Sequence, residues 1–155
     1  MKQKLRYEPL TGKFFWLVNN AQVSIGQEVK GSIRESGHIK ISVGSQLHLA
    51  HRLAYELMGE EVPEFIDHVD QDPANNKWKN LRPCTFQQNQ WNTAMRSTNT
   101  SGFKNVYFRK ARNKWIAKVP SLDGLKHVGT FDSAYEANIA AIAARAKHQG
   151  DFAHV

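Results

Sequence analysis

The sequence has a single cysteine and no long apolar run, and each shortage excludes a class of protein. Among the 155 residues only Cys84 carries a thiol, so neither an internal disulfide nor a cysteine-rich zinc site can form. No apolar run reaches the roughly 20 residues that a membrane-spanning helix needs. The basic residues 1–7 also lack the apolar stretch that follows in a secretory signal. We therefore expect a cytoplasmic protein with no membrane partner.

Acidic residues are scarce in the C-terminal part. Residues 1–90 carry 11 Lys and Arg against 10 Asp and Glu, a net charge of +1, whereas residues 91–155 carry 10 against 4, a net charge of +6. A cationic surface attracts phosphate backbones through counterion release. The plainer alternative is a basic face that only keeps the protein soluble. The hydrophobic fraction of 41% is sufficient for a packed core, in one ordinary domain or two small ones.

The first third of the chain reads as short strands followed by a helix. Glycines recur at turn-like intervals through residues 1–46, and residues 38–43 alternate polar and apolar side chains as a half-buried strand does. Leucines then recur every four residues, which predicts a helix from about Leu47 to Met58. Gly59 is well placed to end this helix.

The most informative run combines a carboxylate, an imidazole and later amides. Asp67 and His68 are adjacent, an asparagine-rich stretch leads to Asn80, and Asn89 follows. We expect a short strand that carries Asp67 and His68, a polar loop, and a second short strand near Asn80–Pro83. A helix is expected next, with Thr85 as its N-cap and Asn89 in its first turns.

These residue types suit the hydrolysis of a phosphodiester bond. A neutral histidine can take the proton of the attacking water, because its ordinary pKa of about 6.5 lies near neutral pH. A divalent metal ion can neutralise the charge that builds on the phosphoryl and leaving oxygens. Asp and Asn offer oxygen ligands, which favour Mg²⁺ or Mn²⁺ over Zn²⁺.

The spacing from Asp67 through Asn80 to Asn89, with His51-Arg52-Leu53 upstream, resembles the HNH nucleases, and more closely the phage homing endonucleases among them. The resemblance implies an α+β fold with a ββα core that clasps one Mg²⁺ or Mn²⁺ ion. It implies that Asp67 and Asn89 are metal ligands and that His68 is the general base. It gives Asn80 the role of bracing the loop that orients this base.

Other polar residues near this motif receive lesser roles. Asp70, Asn75 and Asn76 are interpreted as turn-forming residues, because Asx side chains bond to nearby backbone. His48 and His51 could form a metal pair on one helix face. A packing or phosphate-contact role is favoured for both, since no carboxylate or cysteine is spaced to complete a site.

A second module follows a small polar linker at residues 92–101. Three strands are expected at residues 103–108, 114–119 and 126–129, and then a helix at residues 133–149 that a Ser133/Glu136 capping box begins. The motifs at residues 99–106, 114–117 and 128–132 (NTSGFKNV, KWIA and VGTFD) resemble the AP2 DNA-binding domain. The resemblance implies a three-stranded sheet plus helix that lays one sheet face in the major groove.

The expected DNA face follows from alternation along the strands. Lys114, Ile116 and Lys118 should lie on one side of their strand, and Trp115 on the other, where Trp115 and Phe131 are interpreted as core residues. The predicted DNA contacts are basic or hydroxyl side chains, one in the helix before the metal motif and the rest in the second module: Arg52, Lys104, Tyr107, Arg109, Arg112, Lys114 and Lys118.

Together these patterns predict a metal-dependent endonuclease of the HNH homing type that acts on double-stranded DNA. The nuclease region would span residues 1–91, the linker residues 92–101 and the AP2-like domain residues 102–155. A monomer would nick one strand, and a double-strand break would need a homodimer or a second event. The alternatives are a DNA-binding regulator with an idle HNH fold and an RNA-directed protein.

Overall fold

A computed structural model describes residues 4–95 and 97–153. The start of the expected nuclease region at residues 1–3, and Arg96 of the expected linker, lie outside the described residues. The chain divides into two compact units, the first ending at Thr85 and the second beginning at Phe86. In the part of the chain that is described, no helix has both the length and the apolar character to cross a membrane.

The first unit opens with an antiparallel hairpin of β1 (Leu5–Glu8) and β2 (Lys13–Trp16). The turn between them contains Gly12, whose φ of +75° is a left-handed conformation that glycine adopts without strain. Alternate side chains of the hairpin point inward. They join a core whose buried members include Leu5, Tyr7, Phe14, Ile41, Leu53 and Ile66.

A second sheet leads into the first helix. Strands β3 (Ser32–Ile33), β4 (Ile39–Val43) and β5 (Gln46–Leu49) are antiparallel in that order, and α1 (Ala50–Met58) follows directly. The prediction that the helix begins at Leu47 was wrong. Leu47 lies opposite Ser42 in the sheet, so pairing with β4 overrides the helical leucine spacing. The predicted end is confirmed, since Gly59 caps α1 with a φ of 85°.

The last pair of strands in the first unit carries the polar motif. Strand β6 (Phe65–His68) is antiparallel to β7 (Leu81–Cys84), and residues 69–80 form the loop between them. A single 3-10 turn at Trp78–Asn80 leads the chain into β7. The two strands and their loop occupy the region where the sequence predicts strand, loop and strand.

The second unit begins with α2 (Phe86–Trp91) and continues with a three-stranded antiparallel meander and a long helix. The strands and helix are β8 (Val106–Arg109), β9 (Lys114–Ser121), β10 (Gly124–Phe131) and α3 (Ala134–Gln149). The predicted capping box is confirmed, because the Ser133 side chain accepts from the Glu136 amide and the Glu136 side chain accepts from the Ser133 amide. These elements follow the order expected from the sequence, and the assignment to an AP2-like domain stays a prediction.

Small side chains bring α3 close to its sheet. Ala137 and Ala141 of the helix are fully buried against Val106, Ala117 and Val119 of the strands. The core role expected for two aromatic residues is confirmed, since Trp115 and Phe131 both pack against this cluster. One face of the sheet is thereby covered by α3.

Candidate active site

The β6–β7 hairpin places Asp67 and His68 at its loop end. Successive residues of a strand point to opposite faces, so the carboxylate and the imidazole leave β6 in different directions. Asp67 lies opposite Arg82, whose Nε donates to Asp67 Oδ2 at 2.7 Å and whose terminal nitrogen is 2.6 Å from the same oxygen. The buried carboxylate is therefore held in a fixed orientation by a charge-assisted contact.

Asn80 connects the two ends of the loop that follows His68. Its Oδ1 accepts from the backbone amide of Asp70 at 3.0 Å, and its Nδ2 donates to Asp70 Oδ1 and to the carbonyl of Asn75, both at 2.8 Å. Its own carbonyl accepts from the Val69 amide at 2.9 Å. A buried carboxamide thus fixes the backbone immediately after His68.

Asp70 is the other residue, besides Asn80, whose side chain makes several hydrogen bonds within the loop. Its carboxylate accepts from the Asp72 amide at 2.9 Å and from the Asn75 side chain, while Asp72 accepts from the Ala74 amide at 2.9 Å. Burial alone raises the pKa of Asp70, but the hydrogen bonds from Asp72, Asn75 and Asn80 hold this pKa below its usual value. The loop is closed by Asx bonds of the kind that the sequence indicates.

The N-terminal hairpin supports this loop from outside. Tyr7 Oη donates to the Asn76 carbonyl at 2.7 Å, and the Trp78 amide donates to the Pro9 carbonyl at 2.9 Å. Gly12 lies so close to the loop that a Cβ on this residue would be 2.5 Å from the Asn76 carbonyl carbon. The first hairpin therefore helps to set the position of the loop.

His68 forms a cluster with two other histidines, His38 and His51. The ring centroids of His38, His51 and His68 are separated by 5.1, 5.6 and 5.3 Å, and one ring nitrogen of each lies within 4.8 Å of the others. Burial, followed by His68 and His38, lowers the pKa of His51 to about 3. Burial also lowers the pKa of His68 and His38. All three imidazoles are therefore neutral near pH 7 and can accept a proton or bind a metal ion.

The sequence reasoning did not connect His38 and His51 with His68. The signal that could have found the first pair is the register of the β4–β5 hairpin, in which Lys40 lies opposite Leu49. His38 comes just before β4 and His51 just after β5, in the first turn of α1, so this hairpin brings both residues to its same end. His48, which the sequence paired with His51, is not a member of the cluster.

The remaining predicted residues lie in other elements of the chain. Asn89 lies in α2 of the second unit, half-buried, so the expected ligand pair of Asp67 and Asn89 is divided between the units and stays a prediction. Arg52 donates to the carbonyls of Pro63 and Glu64 at 3.0 and 3.3 Å, which ties α1 to the segment before β6.

A basic surface covers the face of the second sheet that α3 leaves open. The register places Tyr107 opposite Ile116, Arg109 opposite Lys114 and Lys118 opposite His127, and paired residues share a face. Tyr107 and Arg109 are exposed, and so is Arg112 in the 3-10 turn that joins β8 to β9. We call Tyr107, Arg109, Lys114, Ile116, Lys118 and His127 the open face.

Two of the predicted DNA contacts have partners within the second unit. Lys104 Nζ donates to the carbonyls of Trp91 and Thr93 at 2.8 and 2.6 Å, and burial, followed by Arg145, lowers its pKa to about 8. Lys114 pairs with Asp132 at the surface. Lys104 thus joins α2 to the start of β8, in addition to any role toward DNA that the sequence predicts.

Comparison with known proteins supports the resemblance in the motif region. Residues 48–91 match the profile of a family described as HNH endonuclease. Over 79 residues the chain is 33% identical to Protein 3.8 of Escherichia phage T7, which is 50% of this chain and 64% of the phage protein. The chain thus spans somewhat less than two thirds of that relative. No solved structure matches the chain.

The prediction of an HNH endonuclease domain is therefore confirmed for residues 48–91. This segment contains α1, β6, the loop, β7 and α2, and with them Arg52, Asp67, His68, Asn80 and Asn89. The similarity to a phage protein supports the expected phage origin, and the homing type stays a prediction.

Proposed function

We propose that the protein is a metal-dependent endonuclease of the HNH homing type that hydrolyses phosphodiester bonds in double-stranded DNA. The observation that carries the proposal is the geometry after His68, where the Asn80 carboxamide bonds to Asp70 and Asn75 and fixes the loop beside the imidazole. A general base must hold its position relative to the attacking water, and a braced loop supplies that preorganisation.

The donor set at Asp67 fits a hard divalent ion. Its carboxylate offers oxygen, the ligand that Mg²⁺ and Mn²⁺ prefer, and Arg82 holds that carboxylate in one orientation. We propose Asp67 and Asn89 as the protein ligands of one such ion. When bound, the ion neutralises charge on the phosphoryl and leaving oxygens.

The proposed reaction assigns each residue one task. His68 takes the proton of the attacking water, and its lowered pKa keeps the imidazole neutral at neutral pH. Asn80 is a positioning residue that acts through the loop. Arg82 is also a positioning residue, because it contacts the Asp67 carboxylate.

The open face supports DNA as the partner. Arg109 and Lys118 present cationic side chains on the side of the sheet that α3 does not cover, and the second unit contains most of the excess positive charge. Phosphate contacts would position the protein, and a few base contacts in the major groove would add selectivity. We propose an AP2-like role for this sheet.

The test is nicking of a supercoiled plasmid by the full chain with Mg²⁺, with Mn²⁺ and with EDTA. We expect open-circular product with either ion and none with EDTA. Binding of DNA without nicking under any divalent ion would favour the alternative, a regulator with an idle HNH fold. Preference for structured RNA over duplex DNA, at matched salt, would favour the RNA-directed alternative.

A further inference from the structure

We propose that His38, His51 and His68 form a second metal site, which binds a transition-metal ion of the Zn²⁺ class through three imidazole nitrogens. We call these residues the histidine cluster. It differs from the proposed magnesium site in ligand chemistry, because imidazole nitrogen suits Zn²⁺, Co²⁺, Ni²⁺ and Cu²⁺, whereas Mg²⁺ takes oxygen ligands.

The distances allow such an ion. Tetrahedral zinc with nitrogen ligands at about 2.0–2.1 Å requires ligand atoms roughly 3.4 Å apart. The three nitrogens already lie within 4.8 Å of one another, and small ring rotations can supply the difference. His38 is the least buried of the three, so its ring has the room to move toward the other two.

The cluster leaves a buried polar atom that an ion would satisfy. His51 is 7% exposed, and its Nδ1 is buried without a hydrogen-bond partner in the described structure. Leaving a buried polar atom without a hydrogen-bond partner is unfavourable. Coordination through Nδ1 would satisfy this atom, whereas packing alone does not.

A neighbouring hydroxyl can stabilise the tautomer of His38 that a metal ligand needs. Ser36 Oγ lies 3.0 Å from His38 Nδ1. When Nδ1 carries the proton and donates to this hydroxyl, Nε2 keeps its lone pair, which is the usual arrangement of a ligating histidine. The three protein ligands leave a fourth position of a tetrahedral ion for water or substrate.

The binding inference does not require the nuclease proposal. Its consequence for activity does rest on that proposal, because the His68 imidazole cannot accept a proton while it coordinates an ion. An ion of the zinc class in the histidine cluster would then inhibit the Mg²⁺-dependent reaction.

The experiment is titration of the full metal-free chain with Zn²⁺ by calorimetry and with Co²⁺ by visible absorption. We expect one ion per chain and a four-coordinate cobalt spectrum. His38→Gln and His51→Gln should each raise the Kd at least tenfold. His48→Gln is the matched control, since His48 is only three residues before His51 but is not a member of the cluster, and it should bind as wild type.

Circular dichroism and urea unfolding establish that each variant is folded before its affinity is compared. His38 is less buried than His51, so His38→Gln should disturb the core less. No zinc binding by wild type, or a Kd in both cluster variants equal to that of wild type, would overturn the inference. Zinc binding without plasmid nicking would sustain the site and remove the proposed function. Nicking without zinc binding would support the proposed function and remove the proposed zinc site.

Discussion

Asp67 and Arg82 face each other across the β6–β7 hairpin, with Arg82 Nε 2.7 Å from Asp67 Oδ2. The Asp67 side chain is 5% exposed and that of Arg82 is 18% exposed. The proposed metal ligand is thus already in contact with a cation, so Arg82 sets the direction in which the remaining carboxylate lone pairs point.

Arg82→Ala should destabilise the protein by about 3–5 kcal/mol, because it leaves a buried carboxylate without its cation. The proposed Mg²⁺-dependent nicking should fall as well, since the ligand loses its orientation. Urea unfolding gives the first quantity and plasmid nicking the second. Lys79→Ala, an exposed change in the same loop, should stay within about 0.5 kcal/mol of wild type. Equal stability of the two variants would contradict the role given to Arg82.

Gly12→Ala tests the support that the first hairpin gives to the loop. Its Cβ would lie 2.5 Å from the Asn76 carbonyl carbon, so either the hairpin or the loop must shift. Gly26→Ala is the matched control, because Gly26 has a similar φ of +80° and nothing within 4 Å of an added Cβ. Both variants carry the same backbone strain. We expect the larger loss of stability and of nicking in Gly12→Ala, and equal losses would show that the contact does not matter.

Local sequence patterns predicted much of this fold. The end of α1 at Gly59 and the Ser133/Glu136 capping box depend on residues a few positions apart, and both are confirmed. The predicted start of α1 was wrong because the leucine spacing extends back to Leu49, which pairs with Lys40 of β4. Pairing between strands is a non-local interaction that a period along the chain does not contain.

The candidate site shows the same difference between local patterns, which the sequence reveals, and non-local contacts, which it does not. The HNH spacing identified Asp67, His68 and Asn80, and the structure places them on one hairpin and its loop. The contacts of Asp67 with Arg82, and of His68 with His38 and His51, were not foreseen, because they depend on register and on packing between separate elements. The pairing of Asp67 with Asn89 stays a prediction.

Stability should fall in acid because of the histidine cluster. The pKa of His51 is about 3 in the folded chain and about 6.5 when unfolded, so the unfolded chain binds more protons between these values. Stability that is present above about pH 6.5 is therefore lost as the pH falls toward 3. Burial lowers the pKa of His38 and His68 in the same direction.

From pH 7 to pH 5 the His51 contribution to this loss is on the order of 2 kcal/mol. Urea unfolding with EDTA present measures it, and His51→Gln should flatten the dependence. A wild-type stability that rises between pH 7 and pH 5 would show that these imidazoles are not neutral in the folded chain.

DNA binding should respond to single charges on the open face. Lys118→Ala should weaken binding to unrelated duplexes by a similar factor and reduce the log–log salt slope by about one, as expected for one lost phosphate contact. Lys147→Ala, an exposed change in the helix α3 on the other side of the sheet, should leave the slope unchanged. Fluorescence anisotropy over a range of KCl concentrations provides the slopes. Matching slopes for Lys118→Ala and wild type would exclude this face from the interface.

Zinc should inhibit the proposed Mg²⁺-dependent nicking, because an ion in the histidine cluster occupies the His68 imidazole. The half-inhibiting concentration should equal the Kd for Zn²⁺ and rise at least tenfold in His38→Gln. His48→Gln should be inhibited as wild type is. Inhibition that is identical in all three proteins would place the inhibiting ion elsewhere.

The most direct measurement is the single-turnover rate of plasmid nicking in Mg²⁺ by His68→Ala, compared with wild type and with His148→Ala, a change in α3 outside the hairpin. DNA affinity and urea stability are measured on the same preparations. We expect His68→Ala to lose at least a factor of about 100 in rate while it still binds DNA, since a positioned general base contributes about 10²–10⁴. A folded His68→Ala protein that nicks at the wild-type rate would contradict the assignment of His68 as the base.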